Sequence, residues 1–96
     1  MTITYHPSVQ RDVNGILEYY NSVFARLADE FWEELMSRIE AARKNPEHFH
    51  LSDLSLRRAN LQKFPYHFLF RIVPGKIRVI VVRHNRRHPG YGLGRE

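Results

Sequence analysis

Residues 83–92 read RHNRRHPGYG, with three arginines, two histidines and a tyrosine but no acid among them. Imidazole exchanges protons near neutral pH, so His84 and His88 are candidates for acid or base work. The planar forks of Arg86 and Arg87 match the oxygens of phosphate or carboxylate. Tyr91 can stack on an unpaired base or supply a proton. His67, upstream, adds a third imidazole. Arg57, Arg58, Lys63, Arg71 and Arg78 add cations able to hold phosphate. Such a cluster is suited to meeting an anion, or to chemistry on one.

The rest of the composition agrees. Residues 1–48 carry five Lys/Arg and eight Asp/Glu, a balance of −3; residues 49–96 carry ten and two, a balance of +8. Five of the six histidines lie between His48 and His88. A basic, histidine-rich half joined to a more acidic one reads as a face for a polyanion. The chain has no cysteine, which excludes disulfides and thiolate chemistry. No apolar run approaches the ~20 residues of a membrane span, and the first residues do not pattern as a signal peptide, so a cytoplasmic protein without membrane contact is expected. The histidines do not have metal-ligand spacing, and neither GxGxxG nor Walker spacing occurs; no metal and no cofactor are expected.

The elements that must position these residues form one domain over 1–96. Thr2–Tyr5 alternates like a short strand. Pro7 or Ser8 opens a helix whose apolar positions are Val9, Val13, Ile16, Leu17 and Tyr20, with an interruption expected at Asn21-Ser22. A second helix carries the stripe Phe24, Leu27, Ala28, Phe31, Leu35, Ile39 and Ala42, widened by Trp32 and Met36, and ends at Asn45-Pro46. Residues 47–58 read as a loop. Strands are expected over Ala59–Phe64, Tyr66–Val73 and Ile77–Arg83, the last two joined by the Pro74-Gly75 turn.

Pairing Ile72 with Ile77 sets Arg71 opposite Arg78, Leu69 opposite Ile80 and His67 opposite Val82. It sends Phe68, Phe70, Ile72, Val79 and Val81 toward the helices. By parity His67 and His84 share the other face, which should be partly open, and Gly92 and Gly94 should leave the tail loose. The fold class is α+β: an N-terminal strand, then a helical hairpin packed on one face of a small, mainly antiparallel sheet.

The run from Leu61 through the Phe64-Pro65-Tyr66 motif and Arg71, past Pro74-Gly75, to His84, Arg86-Arg87, His88 and Pro89 resembles the RelE/ParE superfamily of bacterial toxins, including plasmid stabilisation proteins. The order of elements and the length agree over the whole chain. The resemblance implies the toxin half of a type II toxin–antitoxin pair, held by a cognate antitoxin through an acidic or partly disordered segment. Operator DNA would be met only through that antitoxin.

RelE-like members cut messenger RNA on the ribosome, whereas ParE-like members act on DNA gyrase and cut nothing. RNA cleavage needs a base for the 2′-hydroxyl, charge on the phosphorane and an acid for the leaving oxygen. The first reading is therefore a metal-independent endoribonuclease causing growth arrest, with His67, His84, Arg86 and Tyr91 catalytic. Arg57, Arg58, Lys63, Arg71, Arg78, Arg87 and His88 would bind RNA phosphate. RelE-like enzymes commonly carry an arginine where His67 stands. The alternatives are a gyrase inhibitor of ParE type and a small basic nucleic-acid-binding domain.

Overall fold

The computed structural model describes residues 1–96. Its elements are β1 (Thr2–Tyr5), α1 (Ser8–Val23), α2 (Ala25–Lys44), β2 (His50–Leu51), β3 (Arg57–Asn60), β4 (Tyr66–Val73) and β5 (Lys76–His84). The five strands form one mixed sheet in the order β1-β5-β4-β3-β2, with β1 parallel to β5 and the remaining pairs antiparallel. Both helices lie on one face. The α+β class, the leading strand and the helical hairpin are as the sequence predicts. No helix is long and apolar enough to cross a membrane.

The main core lies between helices and sheet. Val9, Val13 and Ile16 of α1 and Phe31, Leu35, Ile39 and Ala42 of α2 meet Phe68, Phe70, Ile77 and Val79. The start of α1 is capped by His6, whose Nδ1 accepts the Ser8 N–H at 3.1 Å. The break expected at Asn21-Ser22 falls inside α1: Ser22 Oγ donates to Tyr19 O at 2.6 Å, and the helix runs on to an extended Phe24. Phe24 and Trp32 were assigned to the apolar stripe, yet 61% and 46% of their surfaces are exposed. Phe24 is the extended residue between the two helices and not part of α2.

Residues 47–58 are more ordered than a loop. A 3-10 turn over Pro46–His48 leads into β2, which pairs with Arg57 and Arg58 of β3. The strand placed at Ala59–Phe64 ends at Asn60 instead. The N–H groups of Gln62 and Lys63 leave the ladder and donate to the Glu34 carboxylate at 2.8 and 3.1 Å.

The β4–β5 hairpin turns at Pro74-Gly75, with Gly75 at φ 74°. Ile72 pairs with Ile77 and Arg71 with Arg78, as expected. A bulge between Leu69 and Phe70 then shifts the register, so that Phe70 still faces Val79 but Leu69 faces Val81 and His67 faces Arg83. From Val81 onward every residue of β5 changes face. Val82 joins the helix-side core, while Val81 turns to the opposite face and joins Ile80, Leu56 and Leu69 there.

That opposite face is closed at this end. Tyr91 and Leu93 pack over Leu56, Leu69, Ile80 and Val81. Gly92 takes φ 83°, and a Cβ there would lie 2.7 Å from Val81. The segment expected to be loose is therefore a fitted strap. Beyond the last pair of β1 with β5, Tyr5 with Val79, side chains complete the edge of β5. Val82 N–H donates to Asp12 Oδ2 at 3.1 Å, and Arg95 Nη1 donates to Ile80 O at 3.1 Å and to Asp12 Oδ2 at 2.6 Å.

Candidate functional site

The bulge decides which of the predicted residues meet. His67 and His84 lie on opposite faces of the sheet, because the extra residue in β5, Ile80, inverts the parity of everything after it. The shared cleft expected for them does not form.

His67 is 1% exposed, on the strap side, and both its ring nitrogens are taken. Arg83 Nε donates to Nε2 at 2.9 Å, and Nδ1 lies 2.8 Å from Asn85 Oδ1. Arginine only donates and the amide oxygen only accepts, so the ring is the neutral tautomer with its proton on Nδ1. Burial, joined by the charges of Arg58, Arg83 and His84, pushes its pKa down to about 4; the bond to Asn85 opposes the shift. Arg83 is itself buried, and burial lowers its pKa. Its Nη1 donates to the carbonyls of Pro89 and Tyr91 at 2.8 and 2.7 Å, which anchors the strap.

His84 faces the helix side, its ring edge-on to Tyr66 with centroids 4.9 Å apart. Its Nδ1 accepts the Arg86 N–H at 3.0 Å. His84, Arg87 and Tyr91 do come together, in a cleft of about 300 Å³ between α1 and the end of β5 that Arg11, Tyr19 and Arg83 also line. The Arg87 guanidinium sits 4.0 Å from the centre of the Tyr91 ring. The Tyr91 hydroxyl donates to Asp12 Oδ1 at 3.3 Å.

The other predicted residues are dispersed. Arg86 and His88 are exposed in the turn after β5, where His88 Nδ1 accepts the Gly90 N–H at 3.0 Å. Arg57 is tied to the Phe49 carbonyl at 2.9 Å, and Arg58 Nε donates to Asn60 Oδ1 at 2.8 Å. Lys63 projects from the turn before β4. Arg71 and Arg78 stand opposite each other near the far end of the hairpin, where Arg78 Nε donates to Glu96 O at 2.8 Å. Ion pairs join Arg26 to Glu30, Arg43 to Glu40 and Arg95 to Asp12, so none of these basic residues pairs with an acidic side chain. No three of the histidines and carboxylates converge as a metal ligand set.

Sequence reasoning missed Arg11, Asp12, Tyr19 and Arg83. Asp12 and Arg95 are 83 residues apart, and no local pattern announces their pairing. Arg83 stood inside the basic run, but its burial follows from the bulge. Chemically, the Arg83–His67–Asn85 chain uses both ring nitrogens of His67 and leaves only Arg83 Nη2 without a protein partner, while the cleft beside α1 is an open cationic pocket with aromatic walls.

Comparison with known proteins agrees with this architecture. No curated protein matches the chain. A solved structure described as "Chromosomal ParDE TA system from P. aeruginosa" shares the fold with a TM-score of 0.79 at 14% identity, over 88% of this chain and 95% of that one. A family model described as "ParE toxin of type II toxin-antitoxin system, parDE" matches residues 3–89, nearly the whole sheet and both helices, and the chain belongs to that family.

Proposed function

We propose that this toxin acts by binding, with DNA gyrase as its target and a cognate antitoxin as its restraint, and that it does not cut RNA. The observation that carries this reading is the commitment of His67. A general base needs a free lone pair and a general acid needs a proton it can release into the substrate. His67 Nε2 spends its lone pair on Arg83, and its proton points to Asn85. With His84 on the other face, His67 and His84 do not flank one phosphate position. The exposed cations Arg86 and Arg87 suit an acidic partner surface.

A second reading rests on the cleft, where His84, Arg87 and Tyr91 do meet. A ribonuclease built there would use His84 as its proton carrier and Arg87 for charge, with His67 only positioning Arg83.

The test is induced expression with messenger RNA and plasmid topology followed in the same cultures, alongside supercoiling by purified gyrase with added toxin. The expected result is growth arrest, intact messenger RNA, and blocked supercoiling or gyrase-dependent DNA breaks. Messenger cleavage that is lost in His84→Ala would overturn the binding reading in favour of the second.

A further inference from the structure

Gly15 stands inside α1, where glycine costs about 1 kcal/mol relative to alanine. Packing does not ask for it: a Cβ there would meet no atom within 4 Å, and its backbone is not left-handed. What Gly15 borders is the cleft of about 300 Å³ between α1 and the end of β5.

That cleft is cationic. Arg11, Arg83 and Arg87 line it, and none has a carboxylate partner. Its one acid, Asp12, is neutralised by Arg95, which holds its two oxygens at 2.6 and 3.1 Å. Arg83 is the informative residue. It is 9% exposed, and its Nε and Nη1 are spent on His67, Pro89 and Tyr91. Its Nη2 has no protein partner, yet it is not sealed in, since every fully buried side-chain nitrogen has one. A guanidinium this deep without an acid is unfavourable, and an anion reaching Nη2 from the cleft would offset that cost. His84 accepts at Nδ1 from the backbone, which leaves its Nε2–H as a further donor. Tyr19, largely exposed at the rim, offers an aromatic ring.

We propose that this cleft binds a mononucleotide, its phosphate held by Arg83 Nη2 with Arg11 and Arg87, and its base laid against Tyr19. Small-molecule sites span roughly 300–1,000 Å³, so the cleft is sized for one nucleotide and not for a duplex. Phosphate is the anion whose several oxygens engage three guanidinium groups at once. A stacked base adds the affinity that separates a nucleotide from a bare anion. Gly15 keeps the wall clear. The assignment does not depend on which macromolecule the toxin attacks.

The test titrates the purified full chain, at fixed ionic strength, with uridine monophosphate, uridine and inorganic phosphate, followed by amide chemical shifts. The nucleotide should saturate, with shifts concentrated at Gly15, His84 and Arg87. It should bind at least about tenfold tighter than either uridine or phosphate. Arg11→Ala and Arg87→Ala should each weaken it about tenfold, and Gly15→Leu should abolish it while leaving thermal stability no lower. Should Gly15→Leu fail to fold, the two exposed arginines still carry the test. Absence of saturation, equal affinity for inorganic phosphate, or unchanged binding in both arginine variants overturns the proposal.

Discussion

Arg83 Nε can only donate, so the nitrogen it meets on His67 must carry a lone pair, and the imidazole is neutral in the folded protein. Protonating it would set a cation against a buried guanidinium. The pH dependence follows. In the unfolded chain His67 takes up a proton near pH 6.5, and in the folded protein only near pH 4. Between those values the unfolded state binds more protons, so this contribution is complete above about pH 6.5 and is lost progressively as pH falls toward 4. Urea midpoints for wild type and His67→Gln at pH 7 and pH 5 check it. The wild type should lose more stability than the variant over that interval; parallel losses would mean that His67 does not titrate this way. His67→Ala should cost roughly 2 kcal/mol even at pH 7, because it strands a buried donor of Arg83. The sequence placed His67 on a strand beside cations but could not reveal the burial, which comes from the strap folding over it.

At the scale of elements, the bulge in β5 is what the sequence concealed. Ile77-Arg-Val-Ile-Val-Val-Arg83 is aliphatic at nearly every position near its centre, so exchanging the faces of Val81 and Val82 leaves both buried. The turn at Pro74-Gly75 and the pairs next to it were legible because Pro and Gly have particular backbone needs. The inversion beyond Ile80, and with it the separation of His84 from His67, was not. What holds the shifted strand is also non-local: Asp12 and Arg95 finish its open edge. The Asp12 side chain is 2% exposed, so Arg95→Ala leaves a nearly buried carboxylate unpaired and should cost about 3 kcal/mol. Asp12→Ala together with Arg95→Ala should cost less than the sum of the two single changes, which a double-mutant cycle by urea denaturation measures. Gly92→Ala should destabilise by roughly 1–3 kcal/mol, from positive φ and the approach to Val81, and should speed amide exchange at Tyr91 and Leu93 before it affects α2.

Over the whole molecule, the first strand meets the last. β1 lies parallel to β5 with Thr2 beside Lys76 and Tyr5 beside Val79, and His6 N–H continues the contact to Val79 O at 2.8 Å. The short β1 was legible from its alternation, but its partner was not, because parallel pairing across more than 70 residues leaves no local trace. The pairing gives residues 1–6 two tasks. They cover the edge of β5, and His6 caps α1. Deleting them would leave Ile77 and Val79 on an open edge while α1 begins with an unsatisfied N–H group. The truncated chain should therefore associate through β5, eluting earlier than the monomer in size-exclusion chromatography and melting without a single cooperative transition. Adding residues 1–6 back as a separate peptide should restore little, because one short parallel strand gains too little to offset its ordering entropy once the chain no longer supplies it. A truncated protein that stays monomeric and melts cooperatively would show instead that α1 and the strap alone hold β5, and that β1 is dispensable to the sheet.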